Sequence, residues 1–333
     1  MKIAVYHRQE YGGTGLYRLH LPHELMAEWG HSVKFTDSLD VNDYDCDIFI
    51  ASKSWFVMAN RLVAELKQKG VICIIDYDDY WVLPPNHLLY HSYKTHKTSA
   101  VLINALRLYD YVMCTTPLLQ DEIRIINNNV EVFENAIDPN NPQFRINPKP
   151  SDSVRFGYIA GHCHLPDVQI LDGTPQKLNG NFTINLFGFD NSEPYNQFAE
   201  ILSGKRSLIG KFNLYKQASS RTYTQFYNHI DVALAPLVGD KFNSMKSELK
   251  IVEAGFMKRA LIASDVLPYS PLLTEENSMA CSGTGQWARR MQKLINNPEQ
   301  IKDMGEALYE TVKDKFDLHR VTKRREEWYK SIL

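Results

Sequence analysis

Two consecutive α/β domains, each a parallel sheet wrapped by helices and the pair facing a central cleft, are what this sequence predicts. Three observations predict it. Short apolar runs alternate with stretches long enough for crossover helices, which is how parallel strands must be joined. The series halts at a segment crowded with proline and asparagine, then begins again. The chain has 333 residues, 44% of them apolar and 23% charged. That is enough for two domains of ordinary size, each with its own core.

The first series opens with Lys2-I-A-V-Tyr6 as a strand, followed by the loop Gln9-E-Y-G-G-T-Gly15. A helical pattern covers Leu16 to Trp29, with Gly30 as its C-cap. Strand-like runs recur at Ser32–Phe35, Asp47–Ala51, Val71–Ile75 and Tyr111–Thr115, and Val57–Lys69 and Lys97–Arg107 have helical length between them. The break is Ala136–Asp152, with four prolines and three asparagines, a linker composition. The second series runs Val154–Ala160, Phe182–Phe187, His229–Pro236 and Ala260–Ser264. Residues 301–333 are charged and periodic, two or three helices. The expected division is a first domain over 1–140, a linker over 141–152, a second domain over 153–310, and C-terminal helices over 311–333 that pack back on the first.

Bulk properties exclude several classes. Lys and Arg number 37 against 39 acids, a formal charge of -2. That balance speaks against a strongly basic nucleic-acid binder, though not against a local patch. The five cysteines are scattered, with no short-spaced pair for zinc or redox chemistry, which fits reduced thiols in a cytoplasmic protein. The N-terminus does not read as a signal peptide, and no 18-residue apolar run offers a membrane span.

Ligands of open parallel sheets bind outside the carboxyl ends of the strands, so charged groups there are the candidates. Val71-I-C-I-Ile75 runs straight into Asp76, Asp78 and Asp79, followed by Tyr80 and Trp81. Asp76-Tyr77-Asp78 taken alone also fits a divalent-metal site. Gly12-G-T-Gly15 precedes a helix whose free N–H groups can hold a phosphate, with Arg18 one turn on. It lacks the G-x-G-x-x-G spacing of a dinucleotide fold. In Phe242–Met257, Lys246, Lys250 and Glu253 fall at i, i+4 and i+7 and share a face if a helix begins near Ser244 or Lys246. Two ammonium groups and a helix N-terminus there suit a diphosphate, and Glu253 suits the two hydroxyls of a ribose. The same spacing also fits an exposed ladder of salt bridges.

Taken together, these stretches resemble the GT-B fold glycosyltransferases, two Rossmann-like domains about a cleft, and among them the retaining, family-4-like enzymes. The resemblance rests on Gly12-G-T-G-L-Y-Arg18 with Gly30-H-S-Val33, Thr115-T-P-L-Leu119, Val132-F-E-N-A-I-Asp138, Val154–Gly161 with His164 and Asp167, and above all Asp231-V-A-L-A-P-Leu237 followed by Lys246-S-E-L-K-I-V-E-A-Gly255. It implies transfer of a sugar from a nucleoside-diphosphate donor to an acceptor hydroxyl, with retention. Asp78, Asp79, Lys246 and Glu253 are the catalytic candidates. Gly13, Thr14, Arg18, Gly161, His162, His164, Ser247, Leu249, Lys250 and Glu253 are the donor-binding candidates. Tyr17, Tyr80, Trp81 and His87 are expected on the acceptor side.

Departures from the family pattern are specific. The glutamate expected eight positions before Glu253 is replaced by Met245, Glu134 stands where a proline is usual, and Gly161-H-C-His164 stands where an arginine–lysine pair is usual. No tightly bound cofactor is expected. No metal is needed when lysines neutralise the leaving group, and Asp76 then reads as a structural cap. The acceptor is expected to be a glycan or, as a second possibility, a hydroxymethylated base in phage DNA, the protein acting in the cytoplasm (the host's if phage-encoded). A catalytically inactive nucleotide-sugar or glycan-binding relative and a nucleotide-dependent oxidoreductase remain the alternatives.

Overall fold

The computed structural model describes residues 1–7, 12–53 and 56–333. Its twelve strands form two six-stranded sheets, parallel throughout. The first comprises β1 (Lys2–Tyr6), β2 (Ser32–Thr36), β3 (Ile48–Ser52), β4 (Ile72–Tyr77), β5 (Tyr111–Cys114) and β6 (Val130–Val132), in the order β2-β1-β3-β4-β5-β6. The second comprises β7 (Val154–Ile159), β8 (Phe182–Phe189), β9 (Phe212–Lys216), β10 (Val232–Ala235), β11 (Ala260–Ser264) and β12 (Met279–Cys281), in the order β12-β11-β10-β7-β8-β9. Covered on both faces, the central strands read as continuous apolar runs: β3, β10 and β11 are buried at every position. The order reverses between β1 and β3 in one sheet and between β7 and β10 in the other, and crevices for ligands open at such points.

The fold matches the expected class. Three strands, β6, β9 and β12, were not among the expected runs. All lie at or next to sheet edges, and two have only three residues. Residues 9–11 of the expected first loop lie outside the described part, and Gly12–Thr14 is already helical. The helix then passes through a π-wound turn, Gly15–His20, into Leu21–Glu28. Pro22 lacks the N–H that would tighten the preceding turn, a physical reason for the wider winding.

The proline-rich segment is tied down rather than free. Gln143 and Phe144 are buried, Thr224 donates its hydroxyl to the Gln143 carbonyl at 2.8 Å, and Asn228 accepts from the Asn147 N–H at 2.7 Å. The C-terminal segment returns to the first sheet. Ile137 donates its N–H to the Phe316 carbonyl at 2.8 Å and accepts the Leu318 N–H at 2.9 Å, Tyr329 lies 3.0 Å from His23 Nε2, and Arg325 donates to the Arg18 carbonyl at 2.8 Å. Glu134, the residue in place of a proline, pairs with Arg324 of that segment.

Candidate active site

Register sorts the three aspartates at the end of β4. Asp76 is still inside the sheet, paired with Met113 of β5, and is 1% exposed. Its two oxygens take Arg18 Nε at 3.0 Å and Nη2 at 2.8 Å, a bidentate pair with neither side chain exposed. Arg18 also donates to the carbonyls of Phe133 and Cys114. The expectation that Arg18 reaches the cleft is therefore corrected. A guanidinium this deep needs every donor answered, and it is spent inside the first sheet's framework.

Asp78 and Asp79 lie past the strand end. Lys53, just after β3, places its ammonium 2.5 Å from Asp78 Oδ1 and 2.9 Å from Asp79 Oδ2. Thr14 donates its hydroxyl to the second Asp78 oxygen at 2.6 Å. Across the cleft, Lys246 Nζ stands 3.8 Å from Asp79 Oδ1. Burial works against ionising Asp79, but Lys53 and Lys246 outweigh it and hold the carboxyl well below the usual range. Sequence patterns do not single out Lys53. Its only signal is a lone charge directly after the apolar run Ile48-F-I-A-Ser52.

The second half faces this pair with the loops after β7 and β10. His164 Nδ1 lies 2.7 Å from Asp167 Oδ2, and Asp167 Oδ1 accepts the Val238 N–H at 2.8 Å, which locks the imidazole in place. Burial, followed by Lys250, pushes His164 down to about 4, so its ring is neutral near pH 7. Gly161 and His162 are exposed. A narrow, partly open pocket lies between the halves, its lining including His87, Cys163, His164, Asp167, Phe242 and Lys246.

The donor-side segment differs from the single helix expected. A short helix, Lys241–Ser244, ends before Lys246, and the next, Leu249–Phe256, starts after it, so Lys246 sits in the turn between. The turn is held from the first half: Thr116 donates to the Met245 carbonyl at 3.0 Å and Asn135 Nδ2 to Ser247 Oγ at 2.8 Å. Met245, in place of a glutamate, is buried against the first sheet's core. Leu249 packs its side chain on apolar neighbours. Lys250 is different: its ammonium is buried over the Tyr158 ring at 5.1 Å without a hydrogen-bond partner. Burial lowers it to about 8.

Glu253 is enclosed by three phenols. Tyr17 donates to Oε1 at 3.0 Å, Tyr223 donates to the same oxygen, and Tyr227 donates to Oε2 at 3.1 Å. Burial raises the carboxyl above its ordinary range, against the pull of these bonds. Tyr17 is consequently not on the acceptor side as expected: it is 1% exposed and spans from the first helix to Glu253. Trp81 also departs from expectation. At 5% exposed it belongs to the first sheet's core beside Tyr77, its carbonyl accepting from Ser99. Tyr80 is half-buried under Lys241, and His87 meets Phe242 edge-on at the cavity. Gly13 lies beside the Tyr17 ring. Among the described residues, no group of three or more His, Cys, Asp or Glu is arranged to hold a metal.

No protein-family model and no curated protein matches the chain. Solved structures do. Sucrose-phosphate synthase of Thermosynechococcus elongatus matches at a TM-score of 0.73 and 14% identity, over 99% of this chain and 98% of that one. HepE of Anabaena, in complex with UDP-glucose, matches at 0.73 and 13%, over 99% and 100%. An α-glucosyltransferase in complex with UDP and a 13-mer DNA containing an HMU base matches at 0.68 and 12%, over 98% of each chain. At these identities the likeness is one of fold, and it extends over nearly the whole length: this is the GT-B architecture.

Proposed function

We propose that the chain is a glycosyltransferase that moves a sugar from a nucleoside-diphosphate donor to an acceptor hydroxyl with retention. The observation that carries this is Lys250, a buried ammonium with no hydrogen-bond partner, four residues beyond Lys246, where the carboxyl ends of the second sheet meet the cleft. An ammonium left this way is stabilised by an arriving anion, and a diphosphate that also reached Lys246 would take that lysine from Asp79. As the donor bond breaks, negative charge grows on the distal phosphate and Lys246 and Lys250 stabilise it, while Asp79 faces the positive anomeric carbon. Because the protein's own cations answer the diphosphate, transfer proceeds in the presence of a chelator. Tyr80 and His87 form the rim that an acceptor meets.

The acceptor class favoured is a glycan, with the complex of UDP-glucose on HepE supporting the donor class. A hydroxymethylated DNA base is the second reading, favoured by the neighbour bound to HMU-containing DNA. No helix among the described residues is long and apolar enough to cross a membrane, and we place the reaction in the cytoplasm, the host's if the chain is phage-encoded.

Screening nucleotide sugars by thermal shift and donor hydrolysis tests the proposal. A true donor at a hundredfold excess over its Kd stabilises the fold by about 2.7 kcal/mol. Lys250→Ala and Lys246→Ala remove most of that shift. If no nucleotide sugar raises the Tm or is hydrolysed, the reading is wrong.

A further inference from the structure

Lys53 organises the first half's carboxylates, and no motif assigns it a task. Its backbone N–H donates to the Asp76 carbonyl at 3.0 Å, so the end of β3 is fastened to the strand that delivers Asp78 and Asp79. The side chain is only 15% exposed, and its ammonium bridges both aspartates. Asp78 has one oxygen hydrogen-bonded by Thr14 and the other in ion-pair contact with Lys53 at 2.5 Å, without a hydrogen bond. Asp79 has one oxygen on Lys53, and the other faces Lys246 across the cleft.

Charge counting shows what this does. Asp78, Asp79 and Lys53 together carry one net negative charge, which Lys246 balances in the resting protein. When a diphosphate claims Lys246, that negative charge is released toward the cleft, at the moment a cationic sugar centre needs it. A neutral or mobile side chain at position 53 would leave two adjacent carboxylates to share a proton or turn away.

Resting on the transferase reading, we propose that Lys53 is a positioning residue for the transfer step: it clamps Asp78 against Thr14 and holds Asp79 aimed at the anomeric carbon. Other groups facing Asp79 are Asp78 and Tyr93 from its own half, His87 at the rim, and Lys246, Cys163 and His164 from the other half. Lys53 is in direct hydrogen-bond contact with Asp79 at 2.9 Å, whereas Lys246 stands 3.8 Å away.

The test is the pH dependence of kcat and KM in Lys53→Gln, Lys53→Arg and Thr14→Val. Removing a cation within about 4 Å raises a carboxylate pKa by about 1–3 units, so the acid limb of kcat in Lys53→Gln moves up by that amount. Mispositioning lowers kcat by about 100-fold, while the donor KM changes little. Lys53→Arg restores the limb. Thr14→Val leaves Asp78 to draw Lys53 away and moves the limb in the same direction, which keeps the test alive if Lys53→Gln does not fold. A merely structural lysine would lower the Tm and leave the limb in place. An active protein whose acid limb stays put in these variants overturns the inference alone. A wild-type protein inactive on every nucleotide sugar overturns the transferase reading and the inference with it.

Discussion

Tyr17→Phe should tighten nucleotide binding while loosening the fold. Tyr17 and Tyr223 both donate to Oε1 of Glu253, the oxygen a ribose diol would also require. Glu253 is 3% exposed, so a ribose that bonds it must displace one of these phenols. A hydrogen bond to a buried charge contributes about 1.5–3 kcal/mol. Deleting the Tyr17 hydroxyl removes that bond from the empty state and nothing from the bound state, where a ribose hydroxyl has replaced it. Tyr223 partly fills the vacancy, so the net gain in affinity is about 1.4 kcal/mol, or tenfold in Kd. Isothermal titration with a panel of nucleoside diphosphates measures it, and a 2′,3′-dideoxy analogue serves as control because the gain should vanish there. Lower Tm with higher affinity is a combination that general damage does not produce. Unchanged or weaker binding in a folded Tyr17→Phe protein refutes the idea that Tyr17 occupies the ribose position.

Two further outcomes concern the framework. Asp76→Ala strands the fully buried Arg18 guanidinium, and breaking a buried pair from one side costs about 3–5 kcal/mol; the urea midpoint should fall accordingly, and an unchanged midpoint would show that the Phe133 and Cys114 carbonyls suffice. Stability should also decline as pH falls from 6.5, because burial holds His164 down to about 4 and His23 down to about 3. The unfolded chain takes up a proton on each near pH 6.5 while the folded chain does not, so stability is complete above that pH. Each histidine removes up to about 1.4 kcal/mol per pH unit on the way down to its folded value. Urea midpoints that stay level between pH 6.5 and 4.5 would contradict this, and His164→Asn should flatten part of the slope.

Much of the architecture is legible because parallel strands buried on both faces leave an unbroken apolar signature, as in β3 and β4. Edge strands such as β12 pack on one side and are too short to leave one. The site is legible only in part. Charges at strand ends advertise the cleft, but their spacing does not say which of them face it. Asp76 and Asp78 are two residues apart and would share a face of a continuing strand. The strand ends between them, and one neutralises Arg18 while the other meets Thr14 and Lys53. Tyr17 and Trp81 mislead for a related reason. An aromatic next to a glycine loop or an acidic cluster suits a sugar pocket and a core equally well, and burial alone separates the two.

The donor-side groups follow a common logic that no stretch of sequence contains, since each partner comes from a distant segment. Lys246 meets Asp79, Ser247 meets Asn135, Glu253 meets Tyr17, and the Met245 carbonyl meets Thr116, four contacts from the first half onto one turn and helix of the second. Polar groups enclosed between two domains must be satisfied when the cleft is empty, or the closed form would be too costly to populate. On the proposed reading such internal partners would compete with a donor, while they hold the two halves against each other. Lys250 stands apart, its ammonium enclosed with no hydrogen-bond partner. On the proposed reading a diphosphate would gain most at Lys250, where it displaces no hydrogen bond, and that gain would offset the exchange of Asp79 for phosphate at Lys246, four residues earlier.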